Sequence, residues 1–241
     1  MLKGFYGVLF VFLAATTVVL LLVYLAPTAE NRLLFPSDMQ KLIRLADEIL
    51  VYRNKHPYWS LLLFAAVYIY KQAFVVPGSF ILNLLFGAVY GPILGSLLSC
   101  LISTIGSSCC FLLSSIFAKE LVHAWFPAQL KYLQSRINSP QRLLLLLSAR
   151  IFPFTPHWLI NICSPFVGIP LRVHMLTVAV GLLPYNVLCV RAGSVLYRMR
   201  SINDVFSPTT LLNLFFIAVA LLGLRCARRK TDGLPSHHRM S

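Results

Sequence analysis

Apolar residues in this 241-residue chain gather into long blocks, separated by short polar stretches that carry prolines and glycines. From Gly4 to Ala26 no charged residue interrupts the run. Such a run exceeds the roughly 7–15 apolar residues of a signal peptide and matches the roughly 20 residues that a helix needs to cross a bilayer. Residues 1–26 are therefore expected to be a retained N-terminal transmembrane anchor, with Lys3 in the cytosol. Residues 27–57 change character. Ser37 or Asp38 reads as a helix cap. Leu42, Leu45, Ile49 and Leu50 then fall on one face, with Lys41, Arg44, Asp47 and Glu48 largely opposite. That pattern predicts an amphipathic extramembrane helix lying on the membrane surface or against the protein.

Residues 58–76 form the next apolar block and are expected to be a second span. The segment 77–92 is too short and too broken to cross as one helix, with Pro77, Gly78, Gly87, Gly91 and Pro92 around FILNLLF. A re-entrant hairpin is the usual solution, because irregular backbone at membrane depth must be shielded by protein or line a cavity. Residues 93–117 predict a long helix with two rows of small residues at every fourth position. One row is Gly95, Ser99, Ser103 and Ser107, the other Ser96, Cys100, Thr104 and Ser108. Such rows let helices approach closely, so packing is favoured over a polar pore lining. Residues 118–142 suit an interfacial loop or short helix. Residues 143–170 open with five leucines and then break at Pro153, Pro156, Pro165 and Pro170, which places a second re-entrant segment near 150–170. Spans are expected at 173–190 and 209–224, followed by a basic, disordered tail at 225–241. The predicted fold is an all-α integral membrane protein with about six transmembrane helices and two opposed re-entrant hairpins inside a membrane domain at 58–224.

The two broken segments resemble each other. Lys71, Phe74, Pro77 and Asn83 line up with Arg150, Phe152, Pro156 and Asn161, and Gly91-Pro92 with Gly168-Ile169-Pro170. Matching interruptions in two halves point to inverted repeats with a site near the bilayer midplane. The residues shaping such hairpins would be Pro77, Gly78, Gly91, Pro153, Pro156, Pro165 and Gly168. Lys71 and Arg150 lie inside apolar sequence, where a cation costs about 2.5–3.5 kcal/mol on insertion scales. Each must therefore find a partner, water or a route to the headgroups. With Asn83 and Asn161 they are the candidate lipid-path residues, forming with the half-helix ends a hydrophilic notch that favours a phosphate. Snorkelling of the cations and backbone repair by the asparagines are the structural alternatives.

Composition sharpens the class. The chain is 58% hydrophobic and 12% charged with mean hydropathy +0.78, whereas soluble domains carry about 25% charged residues. The net charge of +14 sits mostly at the edges of apolar runs, as at Arg198, Arg200 and Arg225, where it holds anionic headgroups. No basic stripe interleaves with aromatics, so nucleic acid is not a partner. The cysteines follow no CxxC or Cys/His ligand spacing, so neither a metal nor a cofactor is expected. All seven acids (Glu30, Asp38, Asp47, Glu48, Glu120, Asp204, Asp232) fall outside the apolar runs. Proton-coupled carriers usually place such groups within the membrane, and only His157 and His174, both readable as interfacial, remain as titrating groups near it. No nucleophile with a partnered base, no P-loop and no HExxH motif appears, so no covalent chemistry is expected.

Three stretches carry a family resemblance: Lys71 to Ser79 (KQAFVVPGS), Gly106 to Phe117 (GSSCCFLLSSIF) and Arg150 to Asn161 (RIFPFTPHWLIN), with Gly181 to Tyr185 and Ala192 to Ser194 in support. They resemble the transmembrane protein 41 family, nearer its A branch than its B branch, within the VTT-domain group related to bacterial DedA proteins. The likeness runs from about Phe35 to the last span. It implies a helical membrane domain with two re-entrant loops facing each other. It also implies phospholipid scrambling in the endoplasmic reticulum membrane, supporting lipid mobilisation or autophagosome formation. DedA relatives carry acidic hairpin residues linked to the proton-motive force. Here Lys71-Gln72 stands in that hairpin with no acid. The leading expectation is therefore a scramblase-like protein without energy coupling, with membrane phospholipids as partners and a homo-oligomer or other membrane proteins as further ones. An ion- or proton-coupled carrier of a lipid phosphate or small ion, and a membrane adaptor acting through residues 27–57 or 118–142, remain open alternatives.

Overall fold

A computed structural model describes residues 2–27, 39–137, 142–152 and 155–198, and every regular element among them is helical. In chain order these are α1 (Leu2–Leu25), α2 (Met39–Lys55), α3 (Pro57–Ala73), α4 (Ser79–Tyr90), α5 (Pro92–Phe117), α6 (Lys119–Trp125), α7 (Pro127–Ile137), α8 (Arg142–Ile151), α9 (His157–Cys163), a 3-10 turn at Ser164–Val167, α10 (Leu171–Gly181) and α11 (Leu183–Arg198). Prolines open α3 and α5 in the first helical turn, where their missing N–H breaks no intrahelical bond. The expected Ser37/Asp38 cap, Pro153, the span at 209–224 and the tail at 225–241 lie outside the described residues.

α5 is the axis of the fold, with α1, α3, α4, α9 and α10 packed against it. Three side-chain bonds set α3 and α4 as an antiparallel hairpin: Ser60 with Tyr90 at 3.1 Å, Tyr68 with Asn83 at 3.1 Å, and Lys71 with Ser79. α4 then turns at Gly91 (φ 79°) and runs antiparallel to α5, so that Asn83 meets Ser99. Gln72, near the end of α3, meets Ser107 of α5. The hairpin tip therefore lies ten residues short of Phe117, about 15 Å at the helical rise. From the other end of α5, α8 leads in, α9 returns alongside α5 through Ser114 and Ile162, and α10 runs antiparallel to it with His174 against Phe111.

α1 and α5 are long and apolar enough to cross a membrane, and the pair α10–α11 makes a third span if taken as one. Two expected spans differ in detail. The block at 58–76 stops as helix at Ala73 after 17 residues, about 25 Å, short of the ~30 Å hydrocarbon core. The block at 173–190 is bent by 41° between α10 and α11, because Pro184 supplies no N–H and its ring presses on the carbonyl a turn earlier. In the stretch expected to be an interfacial loop or short helix, residues 119–137 hold two helices, α6 and α7.

α2 lies against the protein. Ala46 is buried, Asp47 accepts from the Tyr197 hydroxyl at 2.7 Å, and the Arg53 guanidinium donates to the Val89 carbonyl at the end of α4 while lying 5.6 Å from the centre of the Tyr90 ring. α4 is also pressed onto α11. A Cβ at Gly87 would overlap the Val190 carbonyl, and one at Gly193 the Leu84 carbonyl, so only glycine permits this backbone approach.

The turn leaving α3 is strained. The Val76 N–H returns to the Lys71 carbonyl at 2.8 Å, the six-to-one bond of a Schellman cap, and Val75 occupies the left-handed position at φ 59°. Glycine normally sits there, and a β-branched side chain costs roughly 1–2 kcal/mol in that conformation. Val75→Gly should therefore raise the thermal unfolding temperature in detergent, by about 1 kcal/mol of stability after glycine's extra chain entropy is offset. A lower Tm would mean that the packing of the Val75 side chain outweighs the strain.

Candidate functional site: a buried polar ladder along α5

The four candidate lipid-path residues lie deep in the helix packing. Lys71 is 6%, Asn83 0%, Arg150 1% and Asn161 2% exposed. The expected notch open to lipid is therefore closed in this conformation, because the side chains satisfy one another.

Two networks form, both anchored on the same stripe of α5. In the first, Asn83 Oδ1 accepts from the Tyr68 hydroxyl at 3.1 Å and the Ser99 hydroxyl at 2.5 Å, while its amide donates to Asn186 Oδ1 at 3.0 Å. Asn186 in turn donates to Ser103 at 3.2 Å and to the Cys100 sulfur at 3.6 Å. Lys71 donates to Ser79 and lies 5.4 Å from the centre of the Tyr68 ring.

The second network centres on Arg150. Its Nε donates to Thr177 at 3.3 Å and Nη1 to Asn161 Oδ1 at 3.1 Å, and Nη2 lies 3.3 Å from His174 Nδ1. A guanidinium can only donate, so this contact requires His174 Nδ1 to act as the acceptor. None of these acceptors carries a negative charge. A guanidinium desolvated beside neutral dipoles alone is held at a cost of several kcal/mol. The local potential is therefore positive, which favours an anion over a cation. Asn161 also donates to Ser107 at 3.4 Å, and so does Gln72 at 3.0 Å.

The structure alters three expectations drawn from the sequence. The row Gly95/Ser99/Ser103/Ser107 is more than a packing surface, since its three serines bond asparagine and glutamine side chains from other helices. The neighbouring row turns inward on its own helix, with Ser96, Thr104 and Ser108 bonding carbonyls four residues back. His174 is fully buried rather than interfacial, because α10 presents it to Arg150 and the Phe111 ring. The internal match also shifts by one residue. Gln72, rather than Lys71, takes the place of Arg150: the Gln72 Cβ faces Gly106 as the Arg150 Cβ faces Gly181. Both then stand eleven residues before an asparagine. Helical packing fixes this register, whereas alignment of the two segments by sequence follows matching charge.

Of the hairpin-shaping residues, Gly78 (φ 120°), Gly91 (φ 79°) and Gly168 (φ 77°) sit at turns that an L-residue rarely adopts. Pro77 lies in the tip between α3 and α4, Pro156 precedes α9, and Pro165 opens the 3-10 turn. Tyr68, Gln72, Thr177 and Asn186 join the site without having been singled out by sequence. A signal for Asn186 exists, an amide in the apolar run LLPYNVLCV, but an isolated amide is equally consistent with local backbone bonding.

The VTT domain profile matches residues 76–195, which enclose α4 through most of α11. An uncharacterized membrane protein of Arabidopsis thaliana is 35% identical over 210 residues, 86% of this chain and 73% of that protein. This chain belongs to the VTT-domain family. Among its relatives in that family, transmembrane protein 41B of Danio rerio is 29% identical over 208 residues, 86% of this chain and 74% of that one. Human transmembrane protein 41B is 29% identical over 186 residues, covering 76% and 64%. No solved structure matches. For this VTT-domain chain, kinship with transmembrane proteins and its own apolar helices together establish a membrane protein.

The first network makes a stability prediction. Asn186→Leu strands the Asn83 amide inside the packing, and each unsatisfied buried group costs about 1–3 kcal/mol. Asn83→Leu together with Asn186→Leu should cost less than the sum of the two single changes, because both partners then leave together. Unfolding of the four species in detergent measures this, and strict additivity would show that the 3.0 Å bond contributes nothing.

Proposed function

We propose that this chain is a scramblase-like protein that moves phospholipids between leaflets without energy coupling, in the endoplasmic reticulum membrane, in support of lipid mobilisation or autophagosome formation. The observation that carries the reading is the burial of Arg150 among neutral acceptors half-way along α5. α5 has 26 residues, about 39 Å, so its middle falls near the bilayer midplane if it spans. On that reading α3–α4 is a re-entrant hairpin entering from the membrane face at Pro92, and α8–α9 enters from the face at Phe117. Their tips pass each other near Ser103 and Ser107.

Such tips carry two cations bonded to neutral groups, which an anionic headgroup would pair with more strongly. Separation of the tips would offer a headgroup a polar lining of Lys71, Asn83, Arg150 and Asn161, with the acyl tails left in lipid. A phosphate crossing there exchanges hydration for charge-assisted hydrogen bonds, which lowers the barrier without bond chemistry. A tightly bound headgroup would stall, so neutral acceptors beside Arg150 and Lys71 suit passage better than a cage of cations.

The runner-up reading is coupled transport of a lipid phosphate, and the observation in its favour is His174 beside Arg150. A protonated His174 would face the guanidinium and repel it.

The test uses purified full-length protein in liposomes with fluorescent phospholipid and dithionite. Wild type should make more lipid accessible than the outer-leaflet share, equally with and without an imposed proton gradient. Arg150→Leu, checked for monodispersity, should slow the process at least about tenfold, the effect of raising a barrier by the strength of one hydrogen bond. No accessibility beyond the outer leaflet in verified proteoliposomes refutes scrambling, and stimulation by the gradient together with loss in His174→Phe supports the runner-up.

A further inference from the structure

One hydroxyl belongs to both hairpins. Ser107 Oγ lies 3.0 Å from Gln72 Nε2 of α3 and 3.4 Å from Asn161 Nδ2 of α9, and the residue is fully buried. A serine oxygen has two lone pairs, so it can accept from two amides at once. Gln72 has little freedom to turn away, because its Cβ seats directly on Gly106. Asn161 is fixed in turn by Arg150 Nη1 at 3.1 Å. The line Gln72–Ser107–Asn161–Arg150 thus joins the end of α3 to the end of α8, although the two helices come from opposite ends of α5.

From this shared acceptor we propose that Ser107 is a positioning residue that couples the two hairpins, so that release of one from α5 loosens the other. When Gln72 leaves, Ser107 keeps one donor and gains freedom to rotate, and the long 3.4 Å bond from Asn161 no longer has a fixed acceptor. When Asn161 leaves, the same holds for Gln72. Each hairpin also has a tie to α5 of its own: Asn83 with Ser99 for the first, and the Ile162 carbonyl with the Ser114 hydroxyl at 2.8 Å for the second. Those private ties predict local effects. Ser107 predicts an effect across the molecule.

The scrambling consequence rests on the function proposed above, but the coupling does not. Amide hydrogen exchange on the full-length protein in nanodiscs reads it directly. Gln72→Met removes one donor from the first hairpin and keeps its bulk. It should speed exchange in α9, on the opposite hairpin, by about three- to tenfold, the range that removing one hydrogen bond gives. Ser99→Ala, which cuts a tie private to the first hairpin, should leave α9 unchanged. Ser107→Ala should speed exchange in both the end of α3 and α9, and combining it with Gln72→Met should add nothing further at α9. If Ser107→Ala does not fold, Gln72→Met against Ser99→Ala still decides the matter. Equal responses of α9 to those two variants, or no response to Gln72→Met, overturn the coupling. Cross-hairpin exchange without scrambling in liposomes would instead remove the proposed function and leave the coupling standing.

Discussion

Burial of polar side chains between apolar helices, where each must be met by another side chain, governs this molecule. An arginine, a lysine and three asparagines sit at 6% exposure or less between apolar helices, and each is tolerable only because neighbours supply hydrogen bonds at fixed positions. α5 supplies partners to the three asparagines through Ser99, Ser103 and Ser107, while Lys71 and Arg150 bond to side chains of α4, α9 and α10. The serine stripe of α5 gives acceptors and donors at intervals of four residues, so helices on either side must align with that ladder to satisfy their own amides. The close glycine approach of α4 to α11 follows from this demand, since Asn83 and Asn186 can meet only if the two backbones come together.

The same constraint shapes the hairpins. Each reaches the level of Ser103 to Ser107 and turns there, near the middle of α5. The strained Val75 cap and the positive-φ Gly78 make the first turn, and the break beyond Ile151 makes the second. Turning there brings helix ends and two cations together alongside the middle of α5.

Much of this is legible in the sequence. Block hydropathy identifies α1 and α5, the amphipathic pattern identifies α2, and proline–glycine punctuation locates both turns. Lys71, Asn83, Arg150 and Asn161 stand out as polar groups set in apolar sequence, and all four are buried in the structure. What the sequence does not show is direction. A 17-residue apolar block such as α3 reads as a crossing, and only the structure sets Gln72 against Ser107, ten residues short of the end of α5. Partners separated by a hundred residues, such as Asn83 and Asn186, leave no local trace. Nor does composition distinguish an open notch from a closed one, because the same side chains line both.

The clasp of α2 on α4 carries a consequence for electrical leak. Arg53 covers the carbonyl end of α4, where the helix dipole is negative, while the amide end at Gly78 has no side-chain cap. With Lys71 and Arg150 nearby, both bonded to neutral groups among the described residues, the potential along the hairpin tips is biased positive. Under the proposed scrambling, in which the tips part, that bias opposes the entry of sodium and potassium, so a path for headgroups need not be a path for cations.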